Sequence, residues 1–296
     1  MTSKDPNLAA PEYSVIIAMY NAEDSIADQL AALALQQCPV PWEVIVANNA
    51  STDASPAIAV EHGARLPSFS LIDASQSQGK SFARNEGAKH SRGWFLFFID
   101  ADDVVAEGWL AAMHEAVSQG ADLVGGALDN VTLLDDSPLT PQVDHLTYLP
   151  SVLEFLPYAV GCNNGVRRDV FFELGGWDER FDRGEDVAFG WSAQVHGYTL
   201  TFVPEAVLHY RLRSSLQGMI KQQFGNGFVI PQLLREFAPH GATREPLPRV
   251  ARRHLRLLLG IPGLVFSARR RWAWLRSAAF LAGRISGSVR WRTFCP

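Results

Sequence analysis

Three carboxylates, Asp100, Asp102 and Asp103, stand at the end of an apolar run over residues 95–99. A buried strand that ends in acids is energetically costly, because clustered anions repel and lose hydration unless a cation lies among them. Hard oxygen ligands of this kind suit Mg²⁺ or Mn²⁺ bridging a phosphate. The same residues equally suit an acidic surface turn followed by a helix N-cap. On the cluster alone both readings stand.

Other polar clusters punctuate the chain: Met19-Tyr20-Asn21-Ala22-Glu23, residues 48–53 beginning Asn48-Asn49, residues 79–87 from Gly79-Lys80 through Arg84, and Gly184-Glu185-Asp186-Val187. The elements between them must position these groups. Residues 14–19 read as a buried strand, and Asn21 can cap the next helix, whose Ile26, Leu30 and Leu33 share one face. Residues 42–47 make a second strand, with a helix from about Ser55; residues 69–73 make a third strand, and a helix over 82–90 leads into a strand over 94–99. This alternation predicts a doubly wound parallel sheet with ligands beyond the carboxyl ends of its strands, where the polar clusters fall. Residues 121–213 offer shorter strands at 122–127 and 198–203, with Gly-rich turns at 161–165 and Gly175-Gly176. From about Ser214 the chain reads as helical and basic.

Composition is that of a globular protein, 47% hydrophobic and 19% charged, over 296 residues. Cys38, Cys162 and Cys295 are widely spaced and odd in number, which argues against a disulfide framework or a thiolate metal site. The polar N-terminus lacks the apolar core of a signal peptide, so a reducing, cytoplasmic location is expected. The net charge of −5 hides an asymmetry: no acidic residue follows Glu245, while eleven arginines lie from Arg249 to Arg292. An all-basic tail on an acidic body implies an anionic partner. Residues 255–266 are apolar, but the run is short and broken by Pro262, which argues against a membrane-spanning helix. Over residues 269–284, Trp274, Leu275, Ala278, Leu281, Ala282 and Ile285 share one helical face and Arg276 and Arg284 lie off it. This suits first the surface of an anionic membrane, and next a helix packed on the domain with its arginines solvated or paired. No recognised nucleic-acid motif accompanies the charge.

The order and spacing of these clusters over roughly residues 12–212 resemble the family 2 glycosyltransferases. The resemblance implies an α/β, GT-A fold, Rossmann-like with a mostly parallel sheet flanked by helices, ahead of a helical basic C-terminal extension. The expected division is a disordered N-terminus over 1–11, a catalytic domain over 12–213 and an Arg-rich helical extension over 214–296, possible membrane contact included. The implied activity is inverting transfer of a sugar from a nucleotide-diphosphate sugar to a hydroxyl of a glycan or lipid-linked acceptor in cell-envelope synthesis, at the inner membrane face.

Residue by residue, the resemblance implies that Ala18 and Tyr20 line the base pocket, with Glu23 near the diphosphate or ribose. Asn49 stands where many relatives place an aspartate that reads the uracil edge, and Arg84 would face the diphosphate. Asp100-Ala101-Asp102 matches the D-x-D motif, Asp100 on ribose or metal and Asp102 on a Mn²⁺ or Mg²⁺ that bridges the phosphates, with Asp103 completing the turn. Asp186 would be the general base, because an acceptor hydroxyl attacks well only as its proton is taken. Glu185 would orient the acceptor, Trp177 would stack on it or pack as a core residue, and His209 would be a third metal ligand or a packed histidine. Departures are Asn48-Asn49 for the usual acidic pair, Ala18 for a proline and Ser77 for an asparagine. The amide of Asn49 leaves UDP or dTDP slightly favoured over GDP. A sugar nucleotidyltransferase would need a Gly-rich loop after the first strand, which is absent. A silent sugar-nucleotide-binding protein would have no need of Asp100, Asp102 and Asp186.

Overall fold

The computed structural model describes residues 10–133, 145–212, 215–261 and 267–295. Most of the expected N-terminal tail, residues 1–9, and the end of the apolar run, residues 262–266, lie outside them. Among the described residues eight strands form one sheet: β1 (Tyr13–Met19), β2 (Trp42–Asn48), β3 (Phe69–Asp73), β4 (Phe95–Asp100), β5 (Val104–Val105), β6 (Leu123–Asp129), β7 (Asn163–Arg167) and β8 (Leu200–His209), in the order β3-β2-β1-β4-β7-β6-β8-β5. The β3-β2-β1-β4 half is parallel, as its strand–helix alternation predicts. The second half is mixed, because β7 runs antiparallel to both β4 and β6, while β6 and β8 are parallel.

β7 corrects one expectation. Residues 163–165 belong to a strand and not to a Gly-rich turn. Gly165 is there because the aromatic rings of β4 lie across it: a Cβ at Gly165 would sit 2.5 Å from the Phe97 ring. The apolar run of β4 is buried on both faces. Phe95, Phe97 and Ile99 pack with Val15, Ile17 and Trp109 on one side, whereas Leu96 and Phe98 pack with Ile16, Phe171 and Trp177 on the other.

The helices are α1 (Ile26–Ala34), α2 (Ser55–Gly63), α3 (Lys80–His90), α4 (Trp109–Ser118), α5 (Arg168–Glu173), α6 (Glu185–Val195), α7 (Leu216–Phe237), α8 (Leu247–Leu259) and α9 (Ala268–Arg290). Ile26, Leu30 and Leu33 are the buried face of α1, but Asn21 does not cap it. Asn21 has a φ of 47° and its Oδ1 accepts from the Thr52 N–H at 2.8 Å, tying the loop after β1 to the loop after β2. Ser25 occupies the N-cap position.

The C-terminal helices are built into the body. Val187, Ala188 and Trp191 of α6 share one core with Val229, Ile230, Leu233 and Leu234 of α7. α9 meets α7 backbone to backbone: a Cβ at Gly283 would lie 2.0 Å from the Phe224 carbonyl oxygen, and one at Gly287 2.3 Å from that of Phe228. The packing face of α9 therefore differs from the aliphatic face expected. Ala282 and Ile285 are exposed, while Arg284 is buried, with its Nη1 2.5 Å from Glu245 Oε2. A helix that packs through glycines presents its smallest residues inward, and an amphipathic reading overlooks them. Among the described residues no helix is long and apolar enough to cross a membrane.

Candidate active site

Three elements converge at the carboxyl end of β4. Asp100 ends that strand, and α3 brings Lys80 and Arg84, one helical turn apart, to face it. α6 opens with Glu185 and Asp186 directly after Gly184, whose φ of 75° suits glycine. Two acids thus stand in the first turn of the helix, at its positive end.

Arg84 is fully buried and joins the elements: Nη2 lies 2.5 Å from Asp100 Oδ1 and Nη1 3.1 Å from Glu185 Oε1. Lys80 Nζ reaches the same Glu185 oxygen at 2.6 Å. Burial alone would lower both basic pKa values. Asp100 and Glu185 around Arg84, and Glu185 beside Lys80, reverse that, so both cations are held above their ordinary values. The Arg84 guanidinium also lies 5.4 Å over the Trp177 ring.

Asp186 is half-buried, accepting from the Gly161 N–H at 2.8 Å and the Val187 N–H at 2.9 Å. Burial, with the Glu185 charge beside it, pushes its carboxyl up against the opposing pull of Lys80 and the two N–H groups. A carboxylate with a raised pKa is a stronger proton acceptor, which is the property a general base requires. Gly161 permits the close approach, since a Cβ there would stand 3.2 Å from Arg84 Nη1 and 3.3 Å from Asp186 Oδ2.

Several expected contacts are placed differently. Trp177 is 2% exposed and packs with Phe98, Phe171 and Phe189, so its ring supports Arg84 from beneath and offers no face to an acceptor. Glu185 is fully buried with one oxygen on two cations, which makes it a fixed anchor and not a group open to an acceptor hydroxyl. Arg84, equally buried, positions acids and presents no surface to a diphosphate. Asn49 donates to the Ala74 and Ser77 carbonyls at 2.5 and 2.7 Å and accepts from the Gly79 N–H at 2.8 Å. Both its donors are thus committed to shaping the loop before α3 rather than reading a base edge. Glu23 accepts from the Ala54 N–H at 3.0 Å, bracing the start of α2. Tyr20 is 54% exposed at the end of β1, and Ala18 lies in register between Ala47 and Asp100.

The acidic turn is ordered from behind. Asp103 is fully buried and accepts from the Arg211 N–H at 2.8 Å, while Arg211 Nε donates to the Asp102 carbonyl at 2.9 Å. One ligand atom each from Asp100, Asp103 and Cys162 lies within 4.8 Å of the others. The two carboxylates suit a hard divalent cation, and Cys162 adds little, since burial and then Asp103 and Asp100 hold its thiol protonated. His209 is outside that group. Its Nδ1 lies 2.7 Å from Asp129 Oδ2, the kind of carboxylate contact that orients a metal-binding imidazole. Of the expected ligands Asp100 is in this group and Asp102 and His209 are not, so among the described residues the fit to a divalent metal rests on the Asp100 and Asp103 carboxylates.

Sequence reasoning gave Lys80, Cys162 and Gly161 no role of this kind. For Lys80 a signal was present, a second cation four residues before Arg84, but its partner Glu185 is remote in sequence and only the fold joins them.

Comparison with known proteins gives a consistent family. Residues 14–175 match the family model described as Glycosyl transferase family 2. The chain is 29% identical to the glycosyltransferase AglE of Haloferax volcanii over 221 residues, covering 73% of this chain and 72% of that protein. Among solved structures it resembles the mannosyltransferase PcManGT from Pyrobaculum calidifontis, in complex with GDP-Man and Mn²⁺, at 19% identity and a TM-score of 0.63, with 96% of this chain and 89% of that one covered. It also resembles Staphylococcus aureus TarS in complex with UDP, at 18% identity and a TM-score of 0.55, covering 96% and 92%. At these identities the structural likeness is one of fold.

Proposed function

The chain belongs to glycosyltransferase family 2, and from that premise we propose that it is a metal-dependent, inverting enzyme that moves a sugar from a nucleotide-diphosphate donor to a hydroxyl acceptor, with Asp186 as the base. The observation that carries this reading is the ion-pair frame of Asp100, Arg84, Glu185 and Lys80, with Asp186 next to Glu185 in the chain, which supports a proton acceptor and a phosphate-side acid held close together.

Asp186 takes the acceptor proton as the new C–O bond forms at the anomeric carbon, while the bond to the diphosphate breaks and its electron pair leaves with the phosphate. One base and one displacement invert that centre. Asp100 and Asp102 would hold Mn²⁺ or Mg²⁺, with His209 as the third ligand, and the bound ion supplies neutralising charge to the leaving diphosphate. Lys80, with its side chain 42% exposed, is the accessible cation of the frame. Tyr20 offers a ring to the base beside Ala18, and Glu23 braces that pocket.

PcManGT holds GDP-Man and TarS holds UDP, so the fold accommodates either kind of base. With the Asn49 donors committed elsewhere, the amide no longer favours UDP or dTDP. The acidic body over residues 12–213 carries the chemistry, and the basic residues after 214 supply the affinity for an anionic membrane, where a lipid-linked or cell-envelope glycan is the acceptor. The deciding experiment assays release of nucleoside diphosphate from a panel of UDP, dTDP and GDP sugars with Mn²⁺. One donor class should turn over, with chelator or Asp102→Ala lowering the rate roughly 100-fold or more. Failure of every nucleotide sugar to turn over overturns the reading.

A further inference from the structure

α8 is amphipathic in the opposite sense to a helix that serves only its own domain. At 100° per residue, Arg249, Arg252, Arg253 and Arg256 share one side, and Leu247, Ala251, Leu255, Leu258 and Leu259 share the other. The leucine side is the open one: Leu247 is 69% exposed, Leu255 54%, Leu258 62% and Leu259 69%, while Val250 is the helix's only buried residue. The body grips α8 elsewhere. Arg253 Nη1 lies 2.9 Å from Glu245 Oε2, Arg249 pairs with Glu154, and the Leu257 carbonyl accepts from Trp274 Nε1 at 2.8 Å. Leaving leucines in water forgoes the gain of burying them, and a contiguous row of them marks a contact surface.

The charge around that row selects the partner. Arg252 and Arg256 are exposed beside the leucines and have no carboxylate partner among the described residues. No acidic residue follows Glu245. α9, the other basic helix, has its inner face taken by α7. We propose that α8 is the element that lies in the surface of an anionic bilayer, its leucines at the headgroup–acyl boundary and Arg252 and Arg256 among the phosphates. This rests on the membrane placement under Proposed function and assigns it to one helix. The shared packing of α6 and α7 then joins the docked end of the molecule to the helix that carries Asp186.

The test uses the full chain with vesicles of phosphatidylglycerol and phosphatidylcholine, and with phosphatidylcholine alone, read by co-sedimentation. The unaltered protein should bind the anionic vesicles at least about tenfold more tightly, and Leu255→Glu with Leu258→Glu should remove that preference. Thermal unfolding and vesicle-free donor hydrolysis should stay unchanged, because both leucines are on the open side. The pair Ile285→Glu and Val289→Glu on α9 should bind as the unaltered protein does. If the α9 pair abolishes binding and the α8 pair does not, the membrane placement stands and the assignment to α8 falls. No binding by the unaltered protein overturns both. Self-association lost in the α8 pair, without vesicle binding, makes the face a protein contact and also overturns the proposal.

Discussion

Lys80 Nζ stands 2.6 Å from Glu185 Oε1, the oxygen that Arg84 also holds, so two cations from one helix fix a single buried carboxylate. The arrangement places positive charge next to Asp186 without a bond to it. Lys80 draws the Asp186 carboxyl down while burial and Glu185 push it up. Lys80→Met should therefore raise the Asp186 pKa further. The base works deprotonated, so the acidic limb of kcat/KM against pH should move to higher pH, with Lys80→Arg restoring its position. An unmoved limb in Lys80→Met would separate the two residues.

Asp186→Asn keeps the shape of the side chain and removes the proton acceptor. Donor binding, measured by calorimetry with Mn²⁺, should persist, and transfer should fall roughly 10²–10⁴-fold. In the unaltered enzyme, kcat/KM should fall with acidification through a pKa above the ordinary carboxylate value, in the direction burial imposes. Full transfer activity in Asp186→Asn would remove that residue as the base.

Glu245 is the hinge of charge between the last two helices, paired with Arg253 at 2.9 Å and Arg284 at 2.5 Å. Burial pushes its carboxyl up, but the two arginines outweigh that and hold it below its ordinary value of 4.5. A lowered folded-state pKa contributes stability that is full above 4.5 and is lost as pH falls through the lowered value. Glu245→Gln should cost about 2 kcal/mol in urea unfolding at pH 7. The gap between variant and parent should close as the pH falls below 4.5; an equal gap at every pH contradicts the assignment.

The contact between α7 and α9 depends on what Gly283 lacks. Gly283→Val should lower stability by roughly 1–3 kcal/mol, because its side chain would enter the space of the Phe224 carbonyl. Ala282→Val, one residue away and exposed, should change unfolding little.

How far the sequence revealed this molecule depends on the distance over which each feature is written. β1 to β4 and the helices between them were legible because each is set by local periodicity, and the acid-ended strand was legible as a run of five apolar residues before Asp100. The mixed half was not, since β7 pairs antiparallel with strands distant in sequence, and Gly165 leaves room for the β4 rings without any local periodic signal. Asp100 and Asp186 stand in motifs visible in the sequence, and the fold brings both close to Lys80 and Arg84. Trp177 and Glu185 kept their neighbourhoods but not their exposure, because Phe98, Phe171 and Phe189 pack around Trp177 and Arg84, about a hundred residues earlier, holds Glu185. The inward face of α9 escaped notice because glycine carries no hydrophobic signal.

The core shared by α6 and α7 bears on how this protein can be divided. The family match stops at residue 175, ten residues before Glu185, and the acidic body gives way to the basic tail soon after β8. A chain shortened at either point would lose Asp186, the proposed base, or strip Val187, Ala188 and Trp191 of their cover. Modularity suggested by sequence boundaries is therefore misleading here: the smallest piece that can be expected to fold and turn over includes the helices to residue 290. Chimaeras that exchange tails between relatives must carry α6 along with α7.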